Sequence, residues 1–590
     1  MGERGMQIEN KYDVIIVGSG GAGLRAAIGA AMEGCKTLVI SRGKTNRSGA
    51  TLLAGANISA DVACDGATLA KLGISNGLED DTPEKWFDEV LKEGFFMNNQ
   101  ELLQMFTETA GDRVTELVEW GMKVRGMEGD REISVFGSDI LDTLYAKAKE
   151  CGVTFLQDTV FTELLKKEGK VCGVLCLDLY QGTLIPIFAK AVVLCTGGAH
   201  NLFAENSGST DLCGEGQAAA WRAGAELIDM EMISFCPTVT RYPTMYKGNI
   251  LPYIFITTGY GTLLNKYGQT FTQRYLSPKA ERLALDSEWN KMLLSYAIQS
   301  EILAGKGAKD GGVYFSLPMN PKEIIDELYA DLPPLKTGIY ADIMKIFESG
   351  RSLTVQPSAH YFEGGIRINV KGETNIEGLY AAGECSGGLF GANRVSAATT
   401  EMLVEGAQAG KYAALYAKNH RMEELTENEV NGIAECLMVP FARKTGCRVS
   451  DLKQRLHVIT AESIPVVRCE KKLKKAWSDM EQLEKDLQDV SFENKQTVYN
   501  KEWREYLELR NMIPVAKAII KSAMIRKESR GVHIRSDYFY TDNTNYIGNV
   551  VLCGEELKET LVPVVSTRRI PEEGCWGYTD YIEHIIETLE

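Results

Sequence analysis

Tyr12-Asp13-Val14-Ile15-Ile16-Val17-Gly18-Ser19-Gly20-Gly21-Ala22-Gly23, near the start of the chain, runs an apolar strand directly into a glycine turn. Val14 to Val17 suits a buried parallel strand, and a small-residue helical stretch follows through Ala31. Each glycine has a separate task. Gly18 makes the tight turn, Gly20 lets backbone approach a pyrophosphate, and Gly23 permits close helix–strand packing. Free N–H groups at the helix start then face the phosphates, Gly21 and Ala22 among them. A second strand, Thr37-Leu38-Val39-Ile40, follows at the spacing of a dinucleotide-binding unit.

Working outward, the 590 residues exceed one core, so two to four domains are expected. Hydrophobic content of 44% with 24% charged residues describes a globular chain in water. The net charge of −16 and the lack of a basic tract argue against nucleic acid or an anionic membrane as partner. No apolar run reaches about 18 residues, so no transmembrane segment is expected. Glu3, Glu9 and Lys11 precede a strand and not a cleavage site, which predicts a cytoplasmic protein. The 14 cysteines are scattered without a C-x-x-C pair, and histidines number six. A structural metal site is therefore not expected, and metal clusters would sit on another polypeptide.

Thr82-Pro83-Glu84 starts a helical region by cap, first-turn proline and favourable acid. From Val153 to Phe188 the period shifts toward two, an antiparallel excursion that leads into the buried strand Ala191–Cys195. Thr196-Gly197-Gly198 closes that strand where parallel sheets bind ligands. Aromatics, prolines and loops dominate from about Cys236 to Leu353, as in an inserted domain. The αβ pattern resumes near Gly364, and Gly378-Leu379-Tyr380-Ala381-Ala382-Gly383-Glu384 is a strand ending in glycine and a carboxylate. Residues 421–540 are helical in spacing, with a solvated face over 466–490. The last forty residues read as an edge strand or tail packed on the body or on a neighbour.

With these motifs in order, the chain resembles the flavoprotein subunit family of succinate dehydrogenase and fumarate reductase, which also holds aspartate oxidase and adenylylsulfate reductase. The landmarks run from Gly18–Gly23 through Arg47-Ser48, Thr196-Gly197-Gly198, Phe235-Cys236-Pro237-Thr238, His360–Gly365 and Gly391-Ala392-Asn393-Arg394 to Arg526–Gly531. The resemblance implies an α/β fold: a discontinuous, Rossmann-like FAD-binding domain with an inserted α+β capping domain and a C-terminal helical domain. The expected segments are 1–235 and 353–420 for FAD, 236–352 for the cap, 421–540 for the helices, and 541–590 for a tail. Ser41 matches the serine that closes the family's second strand, beside Arg42. Glu384 matches the residue that hydrogen-bonds the cofactor's ribose hydroxyls. Ser48, Asp211 and Ser396 fall at further cofactor positions. Relatives with covalent flavin carry histidine where this chain has Gly49, so non-covalent FAD is expected.

The resemblance also implies substrate-gripping residues. His360 and Arg394 match two of them, and a guanidinium fork suits a carboxylate. Three other positions depart. Cys236 replaces a histidine, Thr258-Gly259-Tyr260-Gly261 carries no acid, and Lys291 stands nearest the proton-donating arginine. A buried oxygen that loses its donor costs about 1–3 kcal/mol. The expectation is therefore a small-molecule substrate that is not a C4 dicarboxylate. Arg394 and His360 would stabilise charge, and Lys291 or Tyr260 would supply the proton if burial brought its pKa toward neutrality. Cys236 reads as a packing residue, and Arg530, His533 and Arg535 border the site.

The activity expected is that of an FAD-dependent oxidoreductase reducing an unsaturated small acid or carbonyl compound. Hydride would come from flavin N5, and electrons from a separate iron–sulfur or flavin protein. The tail aromatics Trp576, Tyr578 and Tyr581 are candidates for embracing that partner. The alternatives are sulfur chemistry like that of adenylylsulfate reductase and a non-catalytic role in electron transfer.

Overall fold

The computed structural model describes residues 10–59, 82–124, 126–128, 132–251, 261–286, 289–317, 321–324, 326, 338–394, 397–554 and 558–588. Tyr260 and Ser396 lie outside them. β1 (Lys11–Val17) runs parallel between β2 (Thr37–Ile40) and β9 (Thr183–Leu194), and β6 (Thr154–Leu156) extends the sheet beyond β2. The far half of β9 also takes β16 (Leu379–Ala381) in parallel, so the chain returns to the first sheet after a long excursion. β7 (Thr159–Lys167) and β8 (Lys170–Asp178) attach antiparallel to the near half of β9, as the period-two pattern predicts. Cys172 and Cys176 are buried on β8.

α1 (Gly21–Met32) follows the glycine turn and packs on α9 (Ala398–Asn419) at very short range. A Cβ on Gly410 would come within 2.0 Å of the Ala26 carbonyl oxygen, and one on Gly406 within 2.6 Å of that of Ala22. Small residues here bring two backbones together under the cofactor turn. The helical region from Thr82 divides into α2 (Pro83–Glu93) and α3 (Gln100–Glu119), with the Thr82 side chain accepting from the Lys85 N–H at 3.1 Å. β3 (Gly55–Ser59), β4 (Gly126–Glu128) and β5 (Glu132–Phe136) form a small antiparallel sheet, followed by α4 (Gly137–Glu150). α5 (Glu215–Ala223) is the alanine-rich helix beyond β9.

The insertion is built on a four-stranded antiparallel sheet, ordered β11 (Ile233–Tyr242), β14 (Leu353–Phe362), β13 (Val313–Ser316), β12 (Thr262–Leu264). It carries α6 (Pro278–Asp286), α7 (Asn290–Leu303) and α8 (Gly338–Glu348). Ser295 of α7 donates to the Phe235 carbonyl at 2.8 Å, which ties the helix to β11. Glu301, fully buried on the last turn of α7, accepts from Asn265, Arg274 and Tyr275 at 2.7–2.8 Å. Those bonds and charges outweigh desolvation and hold its carboxyl below the usual range.

Beyond α10 (Glu427–Ala442), the chain forms a bundle of α11 (Val449–Ser463), α12 (Glu470–Gln488) and α13 (Lys501–Ile525). Leu473, Ala476, Met480, Leu483 and Leu487 make the inner stripe of α12, and its charged face is solvated as expected. The final segment is a working part of the body. β21 (Gly548–Cys553) and β22 (Lys558–Pro563) complete a five-stranded sheet with β10 (Leu227–Ile228), β15 (Gly365–Arg367) and β17 (Ser386–Gly387). Short pairs β18 (Val467–Arg468) with β19 (Ile534–Arg535), and β20 (Tyr540–Asp542) with β23 (Cys575–Gly577), stitch the remainder. Tyr578 and Tyr581 of α14 (Tyr578–Glu587) are buried, and the Tyr578 hydroxyl donates to the Gly531 carbonyl at 2.7 Å. These two tail aromatics are spent on the chain's own core and offer no surface to a partner. Among the described residues, no helix is long and apolar enough to cross a membrane.

Candidate active site

The glycine turn has the geometry its spacing predicts. Gly18 adopts φ +110°, and a Cβ there would lie 2.1 Å from the Cys195 carbonyl oxygen at the end of β9. A Cβ on Gly23 would lie 2.0 Å from the Gly18 carbonyl oxygen, and one on Gly21 2.0 Å from the Met402 sulfur. Gly20 differs: it caps α1 with no side-chain hydrogen bond, and its Cβ would meet only the Thr51 hydroxyl, at 3.5 Å. Three glycines are closed against protein and one opens outward. That cradle fits a pyrophosphate lying on the N-terminus of α1. Ser41, at the end of β2, is buried with its hydroxyl 2.9 Å from that of Ser19.

Arg42 donates to the Asp211 carbonyl at 2.7 Å and pairs with Glu508 of α13, so it clamps the helical bundle to this edge. Burial works against the charge of Arg42, but Cys213 and Glu508 more than offset it and its pKa rises. The Asp211 side chain is exposed. Ser48 donates to the Lys44 carbonyl at 3.1 Å. Gly49 has φ +83° and open space where a side chain would stand.

At the carboxyl edge of the sheet, Thr196 is buried and Gly197 has φ +73°. Glu384 accepts from the Gly198 N–H at 3.2 Å and the Phe362 N–H at 3.3 Å, with His200 at 3.7 Å. Burial pushes its carboxyl above the usual range against those partners. Glu384 thus joins the first sheet to the end of β14.

β11 and β14 break register twice at this point. Ser234 pairs with Tyr361 while Phe235 pairs with Ala359, which leaves His360 as the extra residue of a bulge. Cys236 and Val239 pair with Ser358 and Gln356, which places a second bulge at Pro237-Thr238. Bulges re-aim side chains beside active sites, and a proline inside a sheet needs one. His360 Nδ1 lies 2.8 Å from the Ser207 hydroxyl, and its carbonyl accepts from His200 Nε2 at 2.7 Å. Burial, then the charges of Lys291 and Arg394 with His200, press the His360 imidazole well below its ordinary pKa, so it is neutral. Lys291 and Arg394, both expected at the site from the sequence, thus bear electrostatically on His360. Cys236 is buried opposite Ser358.

Lys291 and Arg394 are each 5% exposed. Lys291 sits in the first turn of α7, where a cation opposes the helix dipole. The Arg394 guanidinium lies 4.0 Å from the Tyr361 ring centroid, a cation–π contact that fixes its plane. The Tyr361 hydroxyl donates to Glu401 on the first turn of α9, and burial raises the pKa of both groups.

Sequence reasoning missed four residues here. Ser207 orients His360, and Asn290 is 1% exposed with neither amide atom hydrogen-bonded. Glu363 is 3% exposed with neither carboxylate oxygen hydrogen-bonded. Arg468 on β18 is fully buried, donating to the Glu231 carbonyl at 2.6 Å and to His533 Nδ1 at 3.0 Å. No local signal marks Ser207 or Arg468; a glutamate inside the apolar run His360–Ile366 was a visible anomaly.

A family model for an FAD binding domain matches residues 13–137 and 127–400, and one for the fumarate reductase flavoprotein C-terminus matches 453–570. The chain belongs to the flavoprotein-subunit family of succinate dehydrogenase and fumarate reductase. A subunit of the fumarate reductase (CoM/CoB) of Methanothermobacter marburgensis is 30% identical, over 89% of this chain and 94% of that protein. The fumarate reductase flavoprotein subunit of Mycobacterium tuberculosis is 28% identical, over 96% of this chain and 99% of that protein. The structure of the Mycobacterium smegmatis Sdh1 complex in the apo form superposes with TM-score 0.82 at 27% identity, covering 95% of each chain.

This member of the family is an FAD-dependent oxidoreductase that binds its flavin non-covalently. The exclusion of C4 dicarboxylates is overturned, because relatives named for fumarate match along nearly the whole chain. The physical reason lies in charge. Two buried cations beside a neutral imidazole remain complementary to a dianion after individual donors have been exchanged.

Proposed function

We propose that this flavoprotein reduces fumarate to succinate with electrons delivered by a separate redox protein. The carrying observation is that the charges of the buried Lys291 and Arg394 both bear on the neutral His360, a setting that favours an anionic substrate. Arg394, held flat against Tyr361, grips one carboxylate with its fork. In this reading the Ser207 hydroxyl turns from the Ala359 carbonyl to donate to Nδ1, which places the His360 proton on Nε2 to hydrogen-bond the second carboxylate as charge develops there. FAD, when bound, supplies the hydride for one alkene carbon. Lys291 gives a proton to the other, and burial of the three side chains keeps water from competing.

The cofactor residues in this reading are Gly18, Gly20, Gly21, Ala22 and Gly23 at the pyrophosphate and Ser41, Arg42 and Asp211 on the adenosine side. Ser48, Gly49, Thr196, Gly197, Gly198 and Glu384 line the rest, and Ser396, outside the described residues, is assigned from the sequence motif alone. FAD segments 1–235 and 353–420, a cap over 236–352, helices over 421–540 and the tail 541–590 remain the working division. The cytoplasm is the proposed location.

The test is anaerobic: photoreduce the purified holoprotein, add fumarate, and follow the return of flavin absorbance. Fumarate should reoxidise the flavin stoichiometrically. Arg394→Ala should be at least tenfold slower with unchanged FAD content, about 1.4 kcal/mol of transition-state stabilisation. A reduced flavin indifferent to fumarate removes the substrate reading, and unchanged turnover in the variant removes Arg394.

A further inference from the structure

Lys291 and Arg394 are both buried, so a substrate reaches them only when a wall of the pocket moves. Lys291 stands in the first turn of α7 and therefore travels with the insertion. The insertion leaves and rejoins the body along β11 and β14, and their ladder breaks register between Ser234 and Phe235 and again between Cys236 and Val239. Bulges bend a strand and interrupt its pairing, which makes this junction compliant.

The tail makes a further bridge between body and insertion, and its two ends are held very differently. On the body side the hub is Gln100, buried at the start of α3. Its Oε1 accepts from the N–H groups of Thr567, Arg568 and Arg569 at 3.0, 2.9 and 3.2 Å. Its Nε2 donates to the Arg569 carbonyl at 2.6 Å, and its own N–H donates to the Val565 carbonyl at 2.9 Å. Arg569 also forks onto Asp88 of α2 at 3.0 and 2.9 Å. α14 is fastened to the same side, by the Tyr578 hydroxyl on the Gly531 carbonyl at 2.7 Å and by Asn543 on the Tyr581 hydroxyl at 2.9 Å. On the insertion side, α14 meets the start of α6 through two polar contacts. Glu583 accepts from the Ser277 hydroxyl, and Glu587 pairs with Lys279 at 3.1 Å.

We infer that the tail is a latch: anchored to the body at Gln100, it holds the insertion closed over the pocket through Glu583 and Glu587 and releases it when those two contacts part. The asymmetry sets which side lets go. A buried amide with every bond made resists rupture, whereas the Glu587 side chain is 63% exposed and such ion pairs hold weakly. A catch that opens in each turnover needs a weak side of this kind. Release frees α6, and with it the insertion that carries Lys291, to swing on the bulged strands. The latch is independent of which acid the pocket accepts.

The test uses holoprotein without substrate and two readouts. Acetic anhydride acetylates the Lys291 amine, releasing acetate, only while the pocket is open, and peptide mass spectrometry gives the rate. Hydrogen–deuterium exchange then locates the loosening. E583A/E587A should label Lys291 about three- to tenfold faster than wild type. Exchange in α6 should rise with it, while α2 and α3 keep their wild-type rates. K279A, which cuts the ion pair from the insertion's side, should speed labelling about two- to fivefold. Unchanged labelling of Lys291 overturns the latch. So does faster labelling accompanied by equally faster exchange in α2 and α3, since that is general loosening of the fold. If E583A/E587A fails to retain FAD, K279A decides by the same two readouts.

Discussion

Gly20 and Gly23 are three residues apart in one turn, yet alanine should damage the protein in opposite ways. At Gly23 the new methyl carbon would start 2.0 Å from the Gly18 carbonyl oxygen and 2.8 Å from its carbon, both backbone atoms. That contact must open by about 1.5 Å to reach the roughly 3.5 Å of ordinary packing. Neither partner is a side chain that can swing aside, so β1 and α1 must move apart. Overpacking of this kind costs about 1–3 kcal/mol, and Gly23→Ala should lower the stability of the FAD-free protein by that amount. At Gly20, φ is −73°, which alanine accepts, and the methyl would meet only the Thr51 hydroxyl at 3.5 Å. Gly20→Ala should therefore leave the FAD-free protein within about 0.5 kcal/mol of wild type. Its methyl would instead occupy the space into which the pyrophosphate must come, and FAD affinity should fall at least tenfold, about 1.4 kcal/mol. Urea unfolding of the apoprotein and titration with FAD separate the two effects. A Gly20→Ala protein that binds FAD as tightly as wild type would refute the placement of the pyrophosphate on this turn.

Two further outcomes concern the buried ions behind the site. Glu528 accepts from Arg526 Nη1 at 3.0 Å, Arg530 Nε and Nη2 at 2.8 and 3.0 Å, and the Asp542 N–H at 2.8 Å. Glu528→Gln takes from the fully buried Arg530 its carboxylate, while Arg526 keeps Glu231 at 2.6 Å, and should cost about 3–5 kcal/mol in urea unfolding; a loss under about 1 kcal/mol would show that water already reaches the cluster. Burial and Glu231 raise Asp229 to about 7 against Arg526 and its hydrogen bonds from Asn549 and Val550. The folded chain then holds a proton there that the unfolded chain releases above about pH 4, so this group's contribution falls as pH rises from about 4 to 7. The stability gap between wild type and Asp229→Asn should shrink across that window, and a gap independent of pH would refute the raised value.

Local signals in the sequence were reliable where a single residue's stereochemistry decides the outcome. Gly18 needs its positive φ, Thr82 caps a helix three residues on, and the stripe from Leu473 to Leu487 can only face inward. His360 and Arg394 were also legible, through short runs around them. The bulge that presents His360 was not, because it arises from pairing between strands more than a hundred residues apart. The same holds for Arg468, which reaches the site from the helical region through Glu231 and His533. Two tail aromatics were misread for a related reason: Tyr578 and Tyr581 look adhesive until the core they fill is assembled, although the tail does pack on the body as expected. The substrate error has a different origin. Counting lost donors one by one treats each contact as independent, whereas an anion in a buried site responds to the summed field of Lys291, Arg394 and their neighbours.

That field is costly to the fold, which argues for its purpose. Lys291 is a buried cation at the positive end of α7, a position that costs about 0.3–1 kcal/mol for the dipole alone. The opposite end of the same helix carries a compensating design: Glu301 is locked by Asn265, Arg274 and Tyr275, and Ser295 fastens the middle to β11. α7 is therefore held rigidly by groups remote from Lys291 and could not rotate the lysine to solvent without breaking them. On the other wall, Tyr361 and Glu401 restrain Arg394, and Ser207 restrains His360. In a chain of net charge −16, Lys291 and Arg394 are thus buried cations on restrained elements, and the proposed anion site rests on that restraint.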